Sequence, residues 1–157
     1  MFQKTVNTFS APGIPGDFYD NSPRRVQPGV AGGGVVIGKP VFYNDKENDP
    51  LSVVGGAAVI VGEGQANFAG IVVNGKGLVR KDGLTAGLDV ANGTVVSVCT
   101  MGRVWIKVTG AVTVGDTIYI NDSNEYTADS SASGKVEIGK AVIVNSAANG
   151  MAVVELG

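Results

Sequence analysis

The sequence predicts an all-β fold: a compact β-barrel or β-sandwich behind an extended N-terminal arm. Three observations carry this. Valine-rich runs recur between glycines, 24 of them in 157 residues with no triplet period, so the glycines act as turns between short strands. Several runs alternate apolar and polar residues with period two, the pleat of a half-buried strand. No stretch combines a 3.6-residue apolar period with the caps of a long helix.

Residues 1–34 read as the arm and a glycine hinge, and residues 35–157 as a single β-domain. Four of the six prolines fall in the arm (Pro12, Pro15, Pro23, Pro28). They favour an extended, polyproline-like path and oppose helix. Disordered tails are poor in aromatics, yet this one carries Phe2, Phe9, Phe18 and Tyr19, with Ile14 between them. That composition points to an arm that orders on a partner. Arg24 and Arg25 would anchor it to an acidic surface. Ala31-Gly32-Gly33-Gly34 then serves as the hinge into the domain.

The strands follow in order. Val35-Val36-Ile37 and Val41-Phe42-Tyr43 are split by Gly38-Lys39-Pro40, and Ala57–Val61 is apolar on both faces, as a buried strand is. Phe68–Val73 precedes Asn74-Gly75, a hairpin signal leading to Leu78-Val79-Arg80. A short helical turn is expected near Leu84–Leu88, after which Thr94–Cys99 resumes the strand pattern. In Gly102–Val108 the side chains of Val104, Ile106 and Val108 face the core, opposite Arg103, Trp105 and Lys107. Trp105 would lie on the stems of its charged neighbours or under a neighbouring subunit. Ile118 and Ile120 alternate with Tyr119, and Val136, Ile138 and Lys140 with Glu137 and Gly139. Between them Asn121–Gly134 is a polar loop in which Tyr126 packs, and Asp116 is expected to bond the backbone N–H groups of its turn.

Little in this chain offers reaction chemistry. Histidine is absent, which removes Ser-His-Asp and Cys-His mechanisms. Cys99 is the sole cysteine, so no intramolecular disulfide forms and the expected environment at folding is a reducing cytoplasm. Its place in an apolar strand predicts an inert thiol. Zinc would need ligands the sequence lacks. The oxygen-rich stretches Asn44–Asp49 and Asn121–Glu125 do not have the spacing of a helix-loop-helix calcium site. Gly32-Gly33-Gly34 and Gly62-Glu63-Gly64 are not followed by the residues of a phosphate loop. No cofactor, no metal and no enzymatic activity are therefore expected. The net charge is −2 and the basic residues are scattered, so nucleic acid is not an expected partner. No run reaches the roughly 18 apolar residues of a membrane span.

The C-terminal series Gly102-Arg103-Val104-Trp105-Ile106, Gly115-Asp116-Thr117-Ile118-Tyr119, Ile138-Gly139-Lys140-Ala141 and Val153-Val154-Glu155-Leu156, with Ala11-Pro12-Gly13-Ile14-Pro15-Gly16 and Arg24-Arg25, resembles the capsid decoration, or cement, proteins of tailed bacteriophages. The resemblance implies a β-barrel or β-sandwich made in the host cytoplasm, assembling as a homotrimer on the capsid exterior and clamping neighbouring subunits of the major capsid protein. Phe2, Phe9, Ile14, Phe18, Tyr19, Arg24 and Arg25 would then be the capsid-binding arm, and Trp105 and Tyr126 contacts to another subunit or partner. The rival expectation is a carbohydrate- or receptor-binding head module, with Tyr19, Tyr43, Trp105 and Tyr126 as sugar-stacking platforms.

Overall fold

The structure is a computed structural model. It describes residues 13–32, 34–43, the backbone of 58–61, and residues 68–74, 88–145 and 150–157. Nine strands appear, and no helix among the described residues. They are β1 (Arg25–Ala31), β2 (Pro40–Tyr43), β3 (Ala58–Val61), β4 (Phe68–Val73), β5 (Val95–Thr109), β6 (Thr117–Ile120), β7 (Tyr126–Thr127), β8 (Val136–Asn145) and β9 (Met151–Leu156). The expected all-β fold is what the chain adopts, and of the two architectures it is the barrel. The hairpin beyond Asn74 and, except for its last residue Leu88, the helical turn expected near Leu84–Leu88 lie outside the described residues.

Strand β5 is the spine. Its N-terminal half pairs antiparallel with β1 (Val26↔Cys99, Val30↔Val95) and with β4 (Ile71↔Cys99, Val73↔Ser97). Its C-terminal half pairs antiparallel with β9, from Gly102↔Leu156 to Lys107↔Met151, and its tip runs parallel to β7 at Val108↔Tyr126. From β7 the ladder continues through β6, β8 and β9 and returns to β5, closing a five-stranded barrel. The remaining strands return on themselves as well, in the order β5, β1, β3, β2, β4, β5, with β1 and β3 parallel. Two rings thus share one strand, and closure leaves few open edges.

The sequence reads Thr94–Cys99 and Gly102–Val108 as two runs, whereas the structure makes them one strand of 15 residues. The interruption is a bulge. Arg25 pairs with Met101 and Val26 with Cys99, so Thr100 is left over, and such an extra residue bends and twists a strand without ending it. A second bulge corrects the expectation for β8. Ile118 pairs with Gly139 but Tyr119 with Glu137, which shifts the pleat by one residue. Ile138 and Ala141 are therefore buried while Lys140, expected on the face of Ile138, is exposed. The stretch read as arm and hinge contains β1, whose last residues Val30 and Ala31 are buried. Residues 25–31 are accordingly part of the sheet rather than of a free arm.

The largest core gathers Val104, Ile106 and Val108 from β5 with Ile118, Ile120, Ile138, Ala152 and Val154 inside the C-terminal ring, and adds Phe42, Ile71, Val73 and Cys99 from the other ring. A second core packs Ala31, Val41, Val72, Val96 and Val98 with Val35, Ile37 and Val90. Burying each valine, isoleucine or phenylalanine side chain among them contributes about 1.5–3 kcal/mol. Because the first core draws on both rings, the two behave as one body.

Candidate functional site

Of the residues expected to form the contact arm, Phe2 and Phe9 lie outside the described residues. Of the others, Ile14, Phe18 and Tyr19 belong to a strap, Gly13–Asp20, laid across the junction of the rings, and Arg24 and Arg25 follow it where β1 begins. The strap begins as a turn. Asp17 N–H donates to Ile14 O (3.0 Å), and Ile14 itself is 47% exposed. Gly16 takes φ +90°, and a Cβ there would stand 2.5 Å from Ile37 Cγ2. Only glycine fits.

From this turn the chain runs along the edge of β5. Gly16 N–H donates to Trp105 O (2.9 Å), Trp105 N–H to Asp17 O (2.9 Å) and Tyr19 N–H to Arg103 O (3.0 Å), with Phe18 opposite Val104 in an antiparallel bridge. On its other side Asn74 N–H, at the end of β4, donates to Gly16 O (2.9 Å), and Asn74 Nδ2 to Asp17 Oδ1 (3.3 Å). The strap fills the fork where β5 leaves β4, pairing backbone groups that would otherwise be orphaned.

Side chains complete the attachment. The Tyr19 ring meets Trp105 edge-on at 6.0 Å, and the Trp105 ring leaves no room for a Cβ on Gly13. Trp105 is 5% exposed and packs with Met151 and Val153. Its cover is this chain's own strap. The Arg24 guanidinium lies 4.2 Å above the Phe18 ring, a cation–π contact. Arg103 bridges Asp20 (3.2 Å) and Glu155 (3.4 Å). The Ser22 hydroxyl and amide, and then Arg103, hold the Asp20 carboxyl below its usual value. Arg25 is exposed at the start of β1.

Tyr126, expected as a partner contact, is 1% exposed and lies between the rings. Its hydroxyl donates to Gly38 O at 2.9 Å, and burial pushes its pKa well above the usual value. Neither its ring nor that of Trp105 offers surface to a second molecule in this conformation. The structure therefore brings Phe18, Tyr19, Arg24 and Trp105 together, keeps Tyr126 apart, and leaves Ile14 and Arg25 facing outward.

Sequence reasoning passed over Gly13, Gly16, Asp17, Asp20, Asn74 and Arg103 as parts of this arrangement. The readable signal is the turn spacing Pro12-Gly13-Ile14-Pro15-Gly16-Asp17, whose prolines equally suit an extended path. Its attachment to β5 is a contact across more than 80 residues, which no local pattern records.

Elsewhere the described residues hold little reactive chemistry. An open groove of about 720 Å³ at the tip of β5 is lined by Asp116, Tyr119, Asp129 and threonine hydroxyls. Both carboxylates are occupied: Asp116 accepts from Thr113 N–H (2.8 Å), as expected for its turn, and Asp129 from Ser131 N–H (2.8 Å) and hydroxyl. The Ser131 bonds hold Asp129 below the usual carboxyl range. The Cys99 thiol is buried, pushed up in pKa by desolvation, and contacts Met101 O at 3.1 Å. No group of three or more potential metal ligands assembles among the described residues.

No curated protein matches the chain. A chain from a solved structure, the capsid of Myoviridae phage XM1, has a similar fold, with a TM-score of 0.67 and 18% identity over 98% of this chain and 96% of that one. At that identity the likeness speaks for the fold. The model of one protein family, described as structural cement protein (E217 gp24/Pam3 gp6), matches residues 2–157. A match over nearly the whole sequence makes this chain, with its closed five-stranded barrel, a member of the phage structural cement proteins.

Proposed function

We propose that the chain is a non-enzymatic clamp on the outside of a phage head, holding neighbouring major capsid subunits together against internal pressure. The observation that carries the reading is the family match over residues 2–157. The fold suits the task. Two rings on a shared strand with a common core form a body that transmits force with little deformation, and no histidine is present to serve as a general base.

In this reading the grip lies upstream of the strap, in Phe2 and Phe9, and extends to exposed Ile14, with Arg25 adding charge contact at the rim. Phe18, Tyr19 and Arg24 serve the body. Three copies around a symmetry axis would each bind modestly, and effective concentration would make the set tight.

The test uses heads that lack their cement protein. Adding the purified chain should raise the temperature at which heads release DNA and should place density at a symmetry axis in electron micrographs. Heads that neither bind the chain nor gain heat resistance would refute the role.

A further inference from the structure

We propose that the β5 edge at Arg103–Trp105, with the Trp105 ring and Asn74, is a peptide-accepting slot, filled within one chain by residues 13–20 and open between chains to the same segment of a second copy. The bonds are those of strand addition: Trp105 gives its N–H to Asp17 O and accepts from Gly16 N–H, and Arg103 O accepts from Tyr19 N–H. Such bonds are indifferent to which chain supplies the strand. The side-chain requirements are not.

The slot demands glycine at the position of Gly16, where a Cβ would meet Ile37 and the Gly38 backbone, and glycine again at Gly13, against the Trp105 ring. It takes an aromatic ring edge-on to Trp105 at Tyr19 and a carboxylate facing Arg103 at Asp20. Its ligand class is thus a Gly-x-x-Gly-Asp-aromatic-aromatic-Asp peptide that turns at its second glycine and runs along β5 beyond it. Residues 13–20 of this chain are such a peptide, which makes a second copy the matching occupant.

Exchange is open to this segment because it precedes β1 and joins it through the Asp20–Pro23 turn, where Ser22 N–H bonds Asp20 Oδ1. Moving it between copies breaks and remakes the same contacts, the condition for low-cost swapping. The proposal rests on the strap geometry alone and stands whether or not the chain binds heads.

The full-length Gly16→Val chain, whose own strap cannot seat, tests it. A labelled peptide of wild-type residues 13–24 should bind this chain at least about tenfold tighter than it binds the wild-type chain, whose slot is filled at high effective concentration. Emission from Trp105, the sole tryptophan, should shift on binding, and the same peptide with valine in place of its second glycine should not bind. Native mass spectrometry of mixed Gly16→Val and wild-type chains should show mixed oligomers. Equal or absent peptide binding by a folded Gly16→Val chain would overturn the slot, and peptide binding without mixed oligomers would overturn exchange between copies. Should circular dichroism show that Gly16→Val does not fold, Gly13→Val takes its place in the same measurements with the same deciding outcomes.

Discussion

The two rings reach closure by different routes. In the C-terminal ring β6, β7, β8 and β9 follow one another within 40 residues, and their ladders with one another join residues close in sequence, Tyr119 with Thr127 and Asn145 with Met151 among them. In the N-terminal ring β2 and β3 are four residues each, β1 and β3 are parallel, and β1 finds its main partner in β5, with Gln27 opposite Val98. Local ladders form at small entropic cost, whereas pairing over such separations must be supported by the spine and the shared core. The C-terminal ring therefore behaves as the template, and the N-terminal ring is built on its free half-strand.

Breaking the template should have the largest effect. A Cβ on Gly139 would lie 2.0 Å from Glu155 O, so Gly139→Val separates β8 from β9. We expect a loss of more than about 4 kcal/mol or outright failure to fold, read by urea denaturation. A loss under about 1 kcal/mol would mean that the ring tolerates an open seam. Next comes Ile71→Ala, in the N-terminal ring but inside the core shared by both. It should cost about 2–5 kcal/mol in a single transition. Two separate transitions would show that the rings unfold independently.

Tyr126→Phe removes only the hydroxyl bonded to Gly38 O, leaving a buried carbonyl unpaired, and should cost about 1–3 kcal/mol. No measurable change would mean that this contact does not join the rings. The smallest effect concerns acidity. Because the Asp20 pKa is lowered in the fold, its ionised form supports the strap above the unfolded value near pH ~4, and that support fades as pH falls through the lower folded value. Amide exchange at Trp105 should rise in that acid range in the wild type, and Asp20→Asn should abolish the rise. A rise that persists in the variant would assign it to another group.

The same contrast explains what could be read in advance. The alternation of Val104, Ile106 and Val108, the Asp116 turn and the packed Tyr126 were legible because each is a local pattern of period two or a fixed turn offset. Two things were hidden by their range. Arg25–Ala31 carries Pro28 and a glycine hinge after it, the marks of a linker, yet becomes a strand because β5 offers it an edge. The true cover of Trp105, expected from its charged neighbours or from another subunit, comes from residues nearly 90 positions earlier. The bulges at Thr100 and Ile138 shift the pleat by one residue, and a period-two reading cannot anticipate where such a shift falls.

That a cement protein's body includes its strap, while its grip lies upstream, is tested most directly by removing residues 1–12 from the full chain and measuring both melting temperature and co-sedimentation with heads that lack the protein. A chain starting at Gly13 should melt within a few degrees of the intact chain and fail to sediment with heads. Undiminished sedimentation would contradict the account by placing the grip on the body.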